Sequence, residues 1–455
     1  MRLLFVDHFF QYPEIPALAA RELGAELLEF KDDTELDWGD KFPSPHSPAD
    51  GRISPAAVNE YVWTFTQTRS RWYRIGQRIM NNRSTDWNLS TLRNQAMHFL
   101  NFAFAWLDKH QVDVVILSRL PHTGIDFSFW TAAQAAGLPT FFFLQSPFPY
   151  RFMMCQSMED IGRFSVRQAM REAQAVHLKR TSQHQWFYMQ PPVTKSIVNK
   201  ILERPIRASL KRGGEIAWQK SLEIGSARNR QANRAASASQ RRYELDLAEY
   251  AREPTAEELA SPYVYFAFHL EPESSTVPRA GEYSDQLLAL ERLSQICPSG
   301  WKILAKENPK QNHYGRDSYF FARLRNLSNV VFVSTETSSG ELIESAKLVA
   351  SINGTVGWEA ICGGKPALYF GNPWYRELTG ANAFDPGLDI RQLGSSSIDH
   401  ALLERQVSEI QSKMLRGVIF KKYEAICPNF DRQQNIQDAA EDIALYLTRN
   451  GFLPA

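Results

Sequence analysis

Cysteine is scarce in this 455-residue chain. Its four cysteines, Cys155, Cys297, Cys362 and Cys427, lie far apart, with no CxxC pair and no His/Cys spacing of a metal site. That argues against a disulfide scaffold and for a reduced, cytoplasmic protein without a structural metal. Nowhere does an apolar run approach the ~18 residues of a membrane span. The opening MRLLFVDHFF meets charge at Asp7 and reads as a first β-strand rather than a secretion signal. Zinc-finger, RNP-type and KH signatures are missing, so nucleic acid is not an expected partner. There is no Asp-x-Asp metal motif and no internal repeat of solenoid length, and no cofactor is expected.

What is present is the composition of a soluble globular protein, 44% hydrophobic and 22% charged. The length predicts two domains rather than one core. A net charge of +1 conceals an asymmetry: from Arg163 to Arg242 there are 17 Lys/Arg against 4 Asp/Glu. Trp186, Phe187, Tyr188 and Trp218 are interleaved with those charges. Such a tract suits an interfacial segment at the inner face of the cytoplasmic membrane, or one that grips a lipid-linked acceptor. A solvated helical face is the other reading.

Alternation of strands and helices predicts an α/β protein with two doubly wound, Rossmann-like domains facing a cleft. In residues 1–162 the strands are Leu3–Val6, Asp113–Leu117 and Thr140–Leu144, with helices over Asn88–Lys109 and Thr131–Ala136; Asp32–Pro55 is a surface loop. Residues 163–255 read as a basic helical connector, broken at Pro191-Pro192, Pro205 and Gly213-Gly214. A second run over 256–395 has strands Tyr263–Phe268, Lys302–Lys306, Val330–Val333, Leu348–Ile352 and Ala367–Phe370, with helices Tyr283–Gln295 and Ser338–Ala346. Residues 396–455 are read as helices folding back on the first domain, among them the amphipathic Gln434–Arg449.

The segment LVASINGTVGWEAICGGKPALYFG, Leu348–Gly371, is the most informative. A strand, a Ser351-Ile-Asn353-Gly354-Thr355-Val-Gly357 turn and a helix from Trp358 make a setting for phosphate. The first helical turn has spare N–H groups and the positive end of the dipole, and Ser351 and Thr355 add hydroxyls. Glycines 354 and 357 allow close approach, and Glu359 could accept from a ribose diol. The plainer reading is a tight, capped αβ connection. Three further polar clusters follow predicted strands: His269-Leu-Glu271-Pro-Glu273, Lys306-Glu-Asn308-Pro-Lys310 and Pro121-His122-Thr-Gly-Ile-Asp126. Charged groups at the ends of hydrophobic parallel strands face a crevice, although each cluster alone also fits an ordinary polar loop.

These segments, together with Gly281-Glu-Tyr-Ser-Asp-Gln286, resemble the bacterial capsule and surface-polysaccharide glycosyltransferases, including the retaining β-Kdo transferases. The resemblance covers Tyr263–Tyr375 well and Pro121–Gly137 more weakly. It implies a GT-B architecture, a nucleotide-sugar donor such as CMP-Kdo and a glycan or lipid-linked glycan acceptor. Two departures stand out: Glu271 replaces the family's glutamine in Gln-Pro-Glu, and Asn308 replaces histidine in Lys-Glu-His-Pro. Asparagine can donate a hydrogen bond but carries no charge, which opens the way to another nucleotide- or phosphate-activated donor.

On this reading Lys306 and the Ser351–Gly357 turn, with Asn353, neutralise the donor phosphates without a metal, Glu359 holds the ribose, and Glu271 or Glu273 orients the sugar or base. Asp126 is the candidate nucleophile or general base, with His122 orienting it or meeting the acceptor; a helix N-cap is the plainer role for Asp126. His269 is either a site residue or a satisfied strand-end histidine. A nucleotide-sugar epimerase and a non-catalytic scaffold of polysaccharide assembly are the competing classes.

Overall fold

A computed structural model describes residues 1–6, 10–30, 51–66, 89–122, 124–181, 227–271, 273, 276–313 and 315–452. Most of the Asp32–Pro55 loop, the tract's four aromatics and its proline and glycine breaks lie outside them. Two six-stranded sheets organise these residues. In the first, β1 (Arg2–Val6), β2 (Glu26–Phe30), β3 (Val114–Leu117) and β4 (Thr140–Gln145) run parallel in the order β4-β3-β1-β2. β5 (Arg151–Cys155) adds antiparallel to β4, and β12 (Leu415–Arg416) adds antiparallel to β5. The chain thus returns to the first lobe after leaving the second.

The second sheet is wholly parallel: β6 (Tyr263–Ala267), β7 (Lys302–Lys306), β8 (Val330–Val333), β9 (Leu348–Ser351), β10 (Ala367–Tyr369) and β11 (Ala381–Ala383). Its order, β8-β7-β6-β9-β10-β11, is that of dinucleotide-binding sheets, with the switch point between β6 and β9. The strands are near-continuous apolar runs because both faces are covered. Val264, Phe266, Ile303 and Ala350 face the helices Gln286–Ile296 and Ser318–Arg325. Tyr263, Tyr265, Leu304 and Val349 face Leu342, Ile343 and Ala360 of Ser339–Ser345 and Thr355–Cys362. This is the expected GT-B-like arrangement of two Rossmann-like lobes.

The lobes are joined by apolar burial. Phe148, just past β4, meets the Trp358 and Trp374 rings edge-on at 6.2 and 5.3 Å. Trp358, Ile361, Cys362 and Tyr375 share one core cluster with Leu117, Ile125, Phe129 and Phe164. Gly162, at φ +75°, leaves no space for a side chain against the Pro373 and Trp374 carbonyls.

The predicted basic helix is only partly found. Residues 227–250 are helical and bury Tyr243 against Phe321, but 163–181 contain no helix. Their polar groups bond across the fold instead of along a helix. Phe164 and Ser165 N–H groups donate to Glu377, Met170 N–H to the Ser412 carbonyl, and Leu178 N–H to Glu404. Nor do Arg167 and Arg171 belong to a solvated face, although Arg163 is exposed. Arg167 donates to the Met154 carbonyl, and Arg171 to the Met414 carbonyl and to Asp442. The tract from 182 to 226 lies outside the described residues. Among the described residues, no helix is long and apolar enough to cross a membrane.

Asp442 ties this strap to β12. Only 2% exposed, it accepts from Arg171 and from the Arg416 backbone N–H (2.7 Å) and guanidinium (2.8 Å). Asp442→Asn leaves Arg171 facing a neutral amide while Arg416 keeps Asp438 and Glu441, an expected loss of about 3 kcal/mol. Urea unfolding should show a lower midpoint; an unchanged midpoint would mean that these contacts do not hold the strap.

Candidate functional site

The register of the second sheet lines up the strand ends. Ala267 pairs with Lys306 on one side and with Ser351 on the other, so all three side chains lie on one face. Lys306 and Ser351 are therefore two strand spacings apart, about 10 Å. Next along the chain from β6 and β9 are His269 and Asn353, which meet across the switch point: the Asn353 N–H donates to His269 Nε2 at 3.2 Å. An accepting Nε2 puts the ring proton on Nδ1 and keeps the ring neutral. Burial, aided by the positive charges of Arg279 and Arg316, pushes its pKa down to about 3.

Gly354 caps the helix Thr355–Cys362, which begins at Thr355 rather than at the expected Trp358. The Gly354 N–H donates to Ser351 Oγ at 3.0 Å, and the Gly354 carbonyl accepts from the Tyr375 hydroxyl at 2.8 Å. Its φ of −70° is ordinary, but a Cβ there would stand 3.0 Å from Ser351 Oγ and 3.2 Å from His269. Gly357 has a different purpose from the expected one: the space its side chain would need is filled by the Tyr375 hydroxyl, not left open to a ligand. Glu359 is buried one turn on, its charge felt by Tyr265 and Tyr375.

Two expected donor-side residues are engaged within the protein. Lys306 Nζ donates to the Thr337 carbonyl (2.5 Å) and to Ser339 Oγ (3.0 Å), on the β8 side of the sheet and away from the glycine turn. Asn308 Oδ1 accepts from the Lys310 N–H at 3.0 Å and closes the turn after β7. The Glu273 N–H and carbonyl both bond Thr276, closing the turn after the Glu271 motif.

Glu271 belongs to an ion network that sequence reasoning did not find. Arg316 places Nη1 2.5 Å from Glu271 and Nε 2.8 Å from Glu307, and stacks over Phe268 and Phe320. Gln286 Nε2 donates to Glu271 at 2.9 Å and to the His269 carbonyl, while its Oε1 accepts from the His269 N–H. Gln311 holds the Glu271 backbone at both ends. Burial raises the Glu307 pKa against the pull of Arg316. Arg316 lies in an irregular loop, and no local pattern marked it out.

In the first lobe Asp126 is 2% exposed in the first turn of the helix Gly124–Ala135, and its Oδ1 accepts the His122 N–H at 3.2 Å. It therefore stands inside the helix rather than at the cap. His122 Nδ1 is 2.6 Å from the Leu120 carbonyl, so Nδ1 carries the proton. Both follow β3, whose C-terminal end neighbours that of β4, where Phe148 touches the second lobe.

Residues 232–412 match the family model described as capsule polysaccharide biosynthesis protein. Over this stretch the chain is similar to that family. The match, under half of the chain, takes in the whole second sheet and its strand-end residues from His269 to Glu359. None of the curated proteins matches. Among solved structures, the chain is similar to the β-Kdo 2,7 transferase of Thermosulfurimonas dismutans KpsC, at 13% identity and a TM-score of 0.33, over 74% of this chain and 88% of that one. The UDP-GlcNAc 2-epimerase of Methanocaldococcus jannaschii is similar at 10% identity and a TM-score of 0.24, over 99% and 100%. Anabaena HepE in complex with UDP and glucose is similar at 12% and 0.25, again over 99% and 100%. Likeness at this level carries no argument about activity.

The segment that matches the family model carries its own test in His269. Its native pKa lies below the ordinary 6.5, so the unfolded chain binds the proton first, and stability is lost as pH falls from 6.5 toward about 3. His269→Gln should flatten the stability–pH curve there by up to one proton, about 1.4 kcal/mol per pH unit. A wild-type His269 ring that titrates by NMR near its ordinary value would contradict the assignment.

Proposed function

We propose that this protein is a glycosyltransferase of capsule or related surface-glycan assembly, moving a sugar from a nucleotide-activated donor to a glycan or lipid-linked acceptor. The observation that carries the reading is the switch point of the second sheet. There a neutral His269, Asn353 and the helix start at Gly354–Thr355, which has no side-chain cap, converge within the segment that matches the capsule family. Carboxyl ends of parallel strands at a switch point are where nucleotides bind in open α/β sheets.

In this reading the second lobe holds the donor. The Gly354–Thr355 turn meets the phosphate, Ser351 and Asn353 line its path, and Glu359 meets the ribose from the helix above. Glu271 and Glu273 set the loop that orients the donor sugar, Glu271 through its bonds to Arg316 and Gln286. Lys306 contributes by fixing the 337–339 turn and adding positive potential. Asp126 of the first lobe is the carboxylate for the reacting carbon, as nucleophile or general base, held by the backbone ahead of its helix. His122 beside it meets the acceptor.

Thermal shifts with CMP-Kdo and with other CMP-, UDP-, GDP- and dTDP-sugars identify the donor. A true donor at a hundredfold excess over its Kd adds ~2.7 kcal/mol of apparent stability. Asp126→Asn should then leave donor affinity in place and slow transfer to acceptor by about 10²–10⁴-fold. Full transfer by that variant, or epimerisation of the donor in the absence of acceptor, would overturn the reading.

A further inference from the structure

Arg279 stands between the lobes with its charge unanswered. It lies in the turn Thr276–Ala280, between β6 and the helix Gln286–Ile296 in sequence. One guanidinium nitrogen donates to the Asn372 carbonyl at 2.6 Å; Nε is buried with no hydrogen-bond partner. Among the described residues no carboxylate pairs with it. Its charged and titratable neighbours are the Cys155 thiol of the first lobe, the Tyr375 hydroxyl and, unfavourably, Arg376. Arg376 is tied to the same residue, donating to Asn372 Oδ1 at 2.8 Å and to the Glu159 carbonyl, and it too forms no carboxylate ion pair among the described residues. Of the nearest acidic groups, Glu377 accepts from Phe164 and Ser165, and Asp160 from Gln156 and Ser157. Two guanidiniums therefore converge on one asparagine at the interlobe seam, hydrogen-bonded only to neutral oxygens, with the charges of Glu377 and Asp160 reaching Arg376 from farther off.

Arrangements like this are costly. A buried charge left unpaired is strongly destabilising, and proteins elsewhere pair it with an acid. This chain does so at Arg316, which has two carboxylates. Arg279 is also next to the candidate phosphate turn. Its carbonyl and the Asn353 side-chain amide press on the same face of Gly371, and its charge is felt by His269. The Tyr375 hydroxyl near it bonds Gly354 at the helix start.

We propose that Arg279, supported by Arg376, is the cation that binds the phosphate of the activated sugar at the seam, the part the sequence pattern suggested for Lys306. The assignment rests on the donor site proposed above and deepens it. Guanidinium suits the task because its planar fork meets two phosphate oxygens at once. Desolvation, with the Arg376 charge beside it, lowers the pKa of this half-buried guanidinium to about 10.

The test measures binding of CMP, UDP, GDP and dTDP by calorimetry to the wild type, Arg279→Gln and Arg279→Lys, together with unfolding of each protein without nucleotide. The tightest wild-type nucleotide should bind Arg279→Gln about thirtyfold more weakly or worse, and Arg279→Lys in between. The Arg279→Gln protein without nucleotide should be no less stable than wild type, which separates a ligand role from a merely structural one. Equal affinity in both variants, or a loss seen in Lys306→Met but in neither Arg279 variant, would overturn the assignment and leave the donor site standing. Failure of the wild type to bind any of the four nucleotides would remove both.

Discussion

The helix Thr355–Cys362 is buried on different sides in two cores, and the geometry of the crevice depends on that double burial. Ala360, with Val356 beside it, packs down on the second sheet, while Trp358, Ile361 and Cys362 enter the core of the first lobe. A helix so held cannot shift toward one sheet without opening a cavity against the other, and interiors resist such voids. Its N-terminus is thus placed by apolar packing, leaving the polar groups there available for chemistry. Tyr375 finishes the placement, filling the space beside Gly357 and bonding the Gly354 carbonyl.

The loops around this helix start are stiffened by contrasting means. After β6 and β7 a buried arginine is sandwiched by two glutamates and two phenylalanine rings, so both strand-end loops hang on one side chain. After β9 the means are neutral: a histidine kept uncharged, a serine hydroxyl and an asparagine. Keeping His269 neutral beside Arg279 avoids adding a third cation to a seam that already holds two. The positive potential there is left for whatever anion arrives.

How much of this was legible depends on where each residue's role is decided. Strands β3, β4 and β6 to β10 are short apolar runs whose burial on both faces shows in their composition. β2 (Glu26-Leu-Leu-Glu-Phe30) is an edge strand with two glutamates, and β12 is two residues long. Their strand character comes from a partner, which local pattern cannot show. His269, Glu271 and Asn353 were legible because they directly follow apolar strands. Arg279 and Arg316 were not, since one matters for the carboxylates it lacks and the other for the two it has. Gly357 was read for its freedom, yet its neighbour is a tyrosine eighteen positions along the chain.

The return of the chain to its first sheet bears on how the protein is made. β5 has a free edge until Leu415–Arg416 arrives, and one face of the first sheet waits for Ile436, Ala439 and Ile443 of the helix Arg432–Arg449. During synthesis the second lobe can close its own sheet as soon as β11 emerges. The first lobe, although translated earlier, stays half-clothed until residues 415–449 have left the ribosome. The older half of the molecule is the later one to mature, and in the interval its bare strand and apolar face are what a nascent-chain chaperone would meet.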